Sequence, residues 1–136
     1  MVLDKDKAVS EAGDDLSKIL RLSTIYFDLD SARIRAEGSE NQLDKVIEVL
    51  DLYPQLKLEV RSHTDSRAND NYNLALSKRR AKATVNYIIG KGISRDRISG
   101  RGFGETQLIN KCGNGISCSE KEHELNRRSE FIVISQ

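Results

Sequence analysis

The chain has 136 residues, 38% hydrophobic and 32% charged, with a formal net charge of +1. That length favours a single domain with one apolar core. Near-neutral charge, scarce aromatics and the absence of Trp argue against a basic nucleic-acid interface or a base-stacking platform. No apolar run approaches the roughly 18 residues of a membrane-spanning helix. The charged opening stretch, Met1 to Asp15, lacks the apolar segment of a secretory signal. The expectation is either a cytoplasmic protein or one piece of a longer exported chain.

Residues 1–13 read as a polar, loose lead-in. Asp14 to Leu22 carries Leu16, Ile19 and Leu20, an apolar stripe that predicts a short helix. Thr24 to Asp28 is β-branched and aromatic and reads as a first strand, followed by a polar turn over 28–32. Glu37 to Tyr53 is the clearest helix. Leu43, Val46, Ile47 and Leu50 line one face, Ser39 is placed as an N-cap near its start, and Pro54 ends it. Leu56 to His63 alternates strictly, which predicts a strand with Leu56, Leu58, Val60 and Ser62 on one face and Lys57, Glu59, Arg61 and His63 on the other.

A turn dense in Asn, Asp, Ser and Thr follows, from Thr64 to Asn71. The second long helix is expected from Asn71 to Ile89, with Leu74, Ala81, Val85 and Ile88 inward and Gly90 and Gly92 as the stop. Arg95 to Phe103 reads as a strand; Gly100, Gly102 and Gly104 alternate there, which predicts a bulge or the close approach of another backbone. Residues 105–125 form a long polar loop holding both cysteines, with a helical turn from Ser119 to Leu125. Arg128 to Ser135 is the last strand. The order is β-α-β-α-β-loop-β, an α/β (α+β) two-layer sandwich on a mixed four-stranded sheet. Residues 1–22 are assigned to an N-terminal extension and 23–136 to the domain.

Two residues carry the chemical reading. Asp65 sits in the turn after a strand, and Arg80 about two turns into the helix that follows. Neighbouring elements thus deliver a carboxylate and a guanidinium to one region. Together they suit a zwitterion, the acid taking an ammonium and the guanidinium a carboxylate through paired hydrogen bonds. The competing reading is a surface ion pair or a turn-capping Asp, which is common and contributes little. The density of side-chain partners around the turn (Thr64, Ser66, Asn69, Asn71 and Asn73) and its position at a helix start favour a ligand site.

Ser62-His63-Thr64-Asp65-Ser66, Tyr72-Asn73-x-x-Leu76-Ser77-x-x-Arg80-Ala81, Gly102-Phe103-Gly104-Glu105 and Asn126-Arg127-Arg128-x-Glu130 occur in order. Tyr26-Phe27-Asp28-x-Asp30-Ser31 precedes them. This set resembles the OmpA C-terminal-like, peptidoglycan-binding domain family over about residues 23–134. The resemblance implies non-covalent binding of the peptidoglycan stem peptide, chiefly through meso-diaminopimelate, whose free end carries an ammonium and a carboxylate. It implies that Asp65 and Arg80 form the recognition pair, with Asp30, Asn73 and Thr64 lining the pocket and Arg127 at its rim. It also implies a periplasmic location, as part of a longer protein associated with the outer membrane, with no cofactor and no metal. The cysteine loop looks most like that of such domains from the Bacteroidetes.

There are two departures: Ser62 stands where the family usually has Gly, and Arg67 where a Gly commonly falls. If the latter position requires positive φ, either Arg67 is strained or the turn differs slightly. For Cys112 and Cys118 the readings are a disulfide, free thiols, or a metal shared with His123; in an exported domain the disulfide is favoured. An enzyme is not expected. His63 with Asp65 and the serines Ser62, Ser66 and Ser77 invite a hydrolase reading, but two residues flanking a turn do not make a base and its orienter, and no catalytic motif is present. His63 is expected instead to hydrogen-bond backbone and brace the turn. The alternatives to wall binding are an envelope protein-interaction module with reduced wall affinity and, behind it, a wall hydrolase or amidase.

Overall fold

The structure, a computed structural model, describes residues 12–22, 25, 34 and 39–135. In chain order these form α1 (Leu16–Ile19), α2 (Ser39–Leu52), β1 (Lys57–His63), α3 (Asp70–Gly90), a 3₁₀ turn (Arg95–Arg97), β2 (Ile98–Gly104), α4 (Glu120–Glu124) and β3 (Ser129–Ser135). The sheet has the order β2-β1-β3, with β1 parallel to β2 and antiparallel to β3. The fold is thus mixed α+β, as expected, on a three-stranded mixed sheet among the described residues. The expected first strand, Thr24 to Asp28, lies outside the described residues except for Ile25, which is buried in the core.

Alternation fixes the layers. Leu58 and Val60 of β1 face Val133 and Phe131 of β3 across the ladder, and all four are buried. They share one apolar cluster with Leu43, Val46, Val49 and Leu50 of α2 and Ile88 of α3. A core of this kind is the main stabilising element of a domain this size. The other face of β1 presents Glu59 and Arg61, joined to each other at 2.6 Å. The apolar run in β3 is covered on both faces only as far as Val133; Ile134 is 46% exposed.

Helix ends are satisfied by side chains. Ser39 is the first residue of α2 rather than its cap and is fully buried. Past the other end of α2, the Arg97 guanidinium donates to the carbonyls of Leu50, Tyr53 and Leu56 at 2.7, 2.9 and 3.1 Å, a cation at the carbonyl end of the helix. Asn69 caps α3 by accepting the Asn71 and Tyr72 N–H groups. Gly92, at φ +103°, completes the expected stop.

The inward face of α3 is more polar than its hydrophobic pattern suggests. Leu74 and Val85 are only half-buried, whereas Asn73, Leu76, Ser77 and Thr84 are buried beside Ala81 and Ile88. The hydroxyls of Ser77 and Thr84 donate to the carbonyls of Leu74 and Arg80, one turn back, so their burial leaves no unpaired donor. Small residues are needed on this face because β2 lies against it. A Cβ on Gly102 would stand 2.3 Å from the Lys78 nitrogen, and one on Gly100 would stand 2.9 Å from Val85 Cγ2. The alternating glycines thus mark the close backbone approach that the sequence predicted.

Residues of the expected N-terminal extension join the sheet from Gly13 onward. Gly13 donates to the Val133 carbonyl and Val133 donates to that of Asp14, both at 2.8 Å. The Asp15 side chain accepts the N–H groups of Ser17 and Phe131. It thereby caps α1 and holds that helix against β3, with Leu16 wholly inside the core.

Candidate functional site

The C-terminal end of β1 is held from both sides. The His63 N–H donates to the Arg128 carbonyl and the Thr64 N–H to that of Gly104, each at 2.9 Å. Beyond them the chain turns sharply, and Thr64, Asp65 and Ser66 are all buried. Thr64 Oγ1 donates to the Asp65 carbonyl at 2.9 Å. Asn73, from the first turn of α3, donates to the carbonyls of Asp65 and Ala68 at 3.2 and 3.1 Å. Three of the residues expected at the site, Thr64, Asp65 and Asn73, therefore form one hydrogen-bonded unit.

Asp65 is the centre of a charge cluster. Its Oδ1 accepts the Arg67 backbone N–H at 3.0 Å. Its Oδ2 accepts Arg67 Nη2 at 2.8 Å, Arg67 Nε at 3.2 Å and Arg127 Nη1 at 2.8 Å. Burial pushes the carboxyl upward, but the hydrogen bonds from the Arg67 side chain and backbone and from Arg127 outweigh it and hold its pKa at about 2. Asp65 is thus ionised at any physiological pH. Glu120 closes the cluster, taking Arg67 Nη1 on one oxygen at 2.5 Å and Arg127 Nη2 on the other at 2.6 Å.

Arg127, expected at the rim, is therefore in direct contact with Asp65. Arg80 is half-buried on α3, seven residues beyond Asn73 and on nearly the same stripe of the helix. That places it about 10 Å along the axis, with its Cβ tilted back toward the helix start. Asp30 lies outside the described residues. Arg67 is not strained: the one positive φ among described non-glycine residues belongs to Arg21. Its function in the structure is to grip Asp65.

His63 differs from expectation in its partner. Its side chain is 1% exposed and its Nε2 meets Glu130 Oε1 at 2.5 Å, so a carboxylate rather than a backbone group braces it. Its ring stacks on Phe103 at 5.3 Å between centroids. Hydrogen bonding to His63, partly offset by burial, lowers the Glu130 pKa. Two of the three serines that invited a hydrolase reading are committed elsewhere: Ser66 Oγ donates to the Cys112 carbonyl, and Ser77 Oγ accepts the Gly104 N–H at 2.8 Å.

The loop after β2 folds onto the Asp65 turn. Cys112 and Cys118 form a disulfide with their Cα atoms 6.0 Å apart. Glu122 lies near both sulfurs, but disulfide sulfurs offer no thiolate to a metal, which removes the metal reading of this pair. The loop is tied to the turn by the Ser66–Cys112 bond and by Asn114 Nδ2, which donates to Asp70 Oδ1 at 3.0 Å. Asn126, fully buried, accepts the Ile109 N–H and donates to Asn110 Oδ1, each at 2.8 Å.

Two acidic residues beside the site escaped the sequence reading. Glu120 carries no motif signal and is visible only once α4 is docked. Glu105 closes the Gly-Phe-Gly-Glu motif and stood in plain view. Burial first, then Asp70 beside it, pushes the Glu105 carboxyl up to about 7, and Asn73 partly offsets this.

The arrangement is that of a two-layer α/β domain whose central strand ends in a fixed, ionised carboxylate ringed by guanidiniums. The chain belongs to the OmpA family, which it matches over residues 26–121. It is 36% identical over 109 residues to the peptidoglycan-associated lipoprotein of Brucella melitensis, covering 80% of this chain and 61% of that protein. The chain thus spans about three fifths of the length of such curated relatives. Among solved structures it is similar to the peptidoglycan-associated lipoprotein from Burkholderia pseudomallei, with a TM-score of 0.68 and 24% identity, covering 80% of this chain and 87% of that one. It is also similar to the cell wall anchor of the T6SS from Pseudomonas aeruginosa, with a TM-score of 0.67 and 24% identity over 81% and 75% of the two chains. These organisms lend no support to the Bacteroidetes likeness read in the cysteine loop.

Proposed function

We propose that this domain binds the peptide stem of peptidoglycan non-covalently, through a residue of the diaminopimelate type, and so anchors a larger envelope protein to the cell wall. In this reading the Asp65 carboxylate receives the ammonium and the Arg80 guanidinium the neighbouring carboxylate. Thr64 and Asn73 fix the turn, Asp30 lines the pocket and Arg127 stands at its edge. The domain is a binding module rather than an enzyme. Its place is the periplasm, associated with the outer membrane through the rest of the parent protein; no helix among the described residues is long and apolar enough to cross a membrane.

The observation that carries this reading is the state of Asp65. The carboxylate is nearly buried, at 11% side-chain exposure, yet ionised and aimed by three separate groups. Such preorganisation is costly to build for a structural turn alone and suits a group that must meet a cation. A carboxylate oxygen can accept two hydrogen bonds, and among the described residues Oδ1 takes one. Membership of the OmpA family and similarity to peptidoglycan-associated lipoproteins point the same way.

The test is calorimetric titration of wild type, Asp65→Ala and Arg80→Ala with meso-diaminopimelate. Each substitution should weaken binding by at least tenfold, because a charged hydrogen-bonding partner contributes about 1.5–3 kcal/mol. Equal affinity in all three proteins removes Asp65 and Arg80 as the recognition pair.

One observation favours the second reading, a protein-interaction module with reduced wall binding: Oδ2 of Asp65 is already saturated by Arg67 and Arg127. Co-sedimentation with purified sacculi separates the two readings, since the interaction module stays in the supernatant.

A further inference from the structure

We propose that Arg67 and Arg127 form a carboxylate subsite beside Asp65, which Glu120 of α4 occupies in the free protein and from which a second carboxylate of the peptide displaces it. The proposal rests on the wall-peptide reading above and extends it from one end of a zwitterion to a second anionic contact.

The geometry of the two guanidiniums carries it. Each makes the same division of labour. Arg67 gives Nη2 and Nε to Asp65 and points Nη1 away from it; Arg127 gives Nη1 to Asp65 and points Nη2 away. The two outward groups converge on a single carboxylate, one on each oxygen, at 2.5 and 2.6 Å. Asp65 thus fixes both forks, and the forks together make a two-point receptor for a planar anion. Both donors are reachable from solvent, with side chains 47% and 32% exposed.

Glu120 has the properties of an exchangeable occupant. Its side chain is 63% exposed, and ion pairs in such positions are weak because water and salt screen them. It is not needed to start α4: Ser119 and Glu122 form the reciprocal capping box there. Nor is it needed to hold the loop on the turn, since the disulfide, the Ser66–Cys112 bond and the Asn114–Asp70 bond do so. Exchanging Glu120 for a ligand carboxylate leaves the charge of the cluster unchanged, with two guanidiniums facing two carboxylates before and after. What Glu120 supplies is competition. A tethered carboxylate occupies the subsite at high effective concentration and selects for ligands that bring more than a single anionic group.

The experiment follows the Arg67 and Arg127 Nε–Hε resonances in wild type and Glu120→Gln by NMR. Three probes are titrated: meso-diaminopimelate, glutarate (two carboxylates, no amine) and cadaverine (two amines, no carboxylate). Glu120→Gln should bind both carboxylate probes about 2- to 5-fold more tightly than wild type, the size of an exposed ion pair removed from competition. Both arginine resonances should move with these probes, and cadaverine should show no such gain. If neither carboxylate probe moves the two resonances in Glu120→Gln, the subsite does not exist. If diaminopimelate binds without moving them and with wild-type affinity, the subsite fails while the wall-peptide reading stands. If glutarate moves them but Asp65→Ala leaves diaminopimelate binding untouched, the subsite stands and the zwitterion reading fails.

Discussion

Two regions flank the Asp65 turn and hold it by different means. On one side β2 lies against α3 with glycine backbone touching helix backbone: a Cβ on Gly104 would stand 3.0 Å from Leu74 Cα, and one on Gly102 would be nearer still to Lys78. On the other side the 105–127 loop reaches the turn through side chains, namely Ser66, Asn114, Arg67, Arg127 and Glu120, and is closed on itself by a disulfide. The first contact has no adjustable part. The second combines one buried tie, Ser66 to the Cys112 carbonyl, with rotatable side chains at exposed or half-exposed positions, and Arg67, Arg127 and Glu120 can exchange partners without moving the chain. The rigid side sets where Asp65 stands, and the adjustable side sets what can approach it.

The sharpest way to break this contrast is Gly102→Ala. The added methyl meets the backbone of α3 at Lys78 and Ser77, within 2.6 Å, where no side-chain rotation relieves it. The helix must move off the strand, opening the packing around Ala81 and disturbing the Ser77–Gly104 bond. Overpacking of this severity is expected to cost about 3 kcal/mol or more. Urea unfolding should show a large fall in midpoint, or no folded protein. A near-wild-type midpoint would mean that the two backbones are not truly in contact.

The matching change on the other side is Cys112→Ser with Cys118→Ser. Cross-linking a loop this short is worth about 2–3 kcal/mol in the chain-entropy model, and the cost should appear in the same unfolding experiment. The loss should be local in character. Amide exchange should rise over the 109–118 loop and the Ser66 turn, while β1 and the buried face of α3 stay protected. Uniform loss of protection would show that the loop is a structural part of the core and erase the distinction.

The same contrast explains what was legible beforehand. The rigid side was written in local patterns. Strict alternation from Leu56 to Ser62 gave the strand and its inward face, and the spaced glycines of β2 announced a close backbone neighbour. The buried polar stripe of α3 was less visible, because Ser77 and Thr84 satisfy their hydroxyls on their own helix and are inside for their size, not their hydrophobicity. Asp65, Thr64 and Asn73 were found together because a short turn joins them. The condition for strain at Arg67, a positive φ, is not met, and the bonds to Asp65 and Glu120 in which its value lies are ones that only the folded loop creates. Glu120 is 53 positions from Arg67, and no spacing rule connects them. Contacts made by exposed side chains across a long loop leave no periodic trace.

The smallest expected effect belongs to Glu105, which follows β2 directly and sits where the two regions meet. Its carboxyl is raised to about 7 by burial and by Asp70, while Asp65 is lowered to about 2. The two therefore act on stability with opposite signs. For Asp65 the folded pKa lies below the unfolded value near 3.9, so its contribution is present above that pH and disappears as pH falls toward 2. For Glu105 the folded pKa lies above the unfolded value near 4.3, so the folded state holds the extra proton and stability declines as pH rises from there toward 7. Glu105→Gln carries no proton to lose. It should melt higher than wild type at pH 8 by about 1–3 °C, since screening at this half-buried position keeps the effect under about 1 kcal/mol. At pH 4.5 the two proteins should melt together. A gain of equal size at both pH values would trace the effect to packing rather than to the Glu105 charge, and Glu105 would then not be a proton-binding neighbour of Asp70.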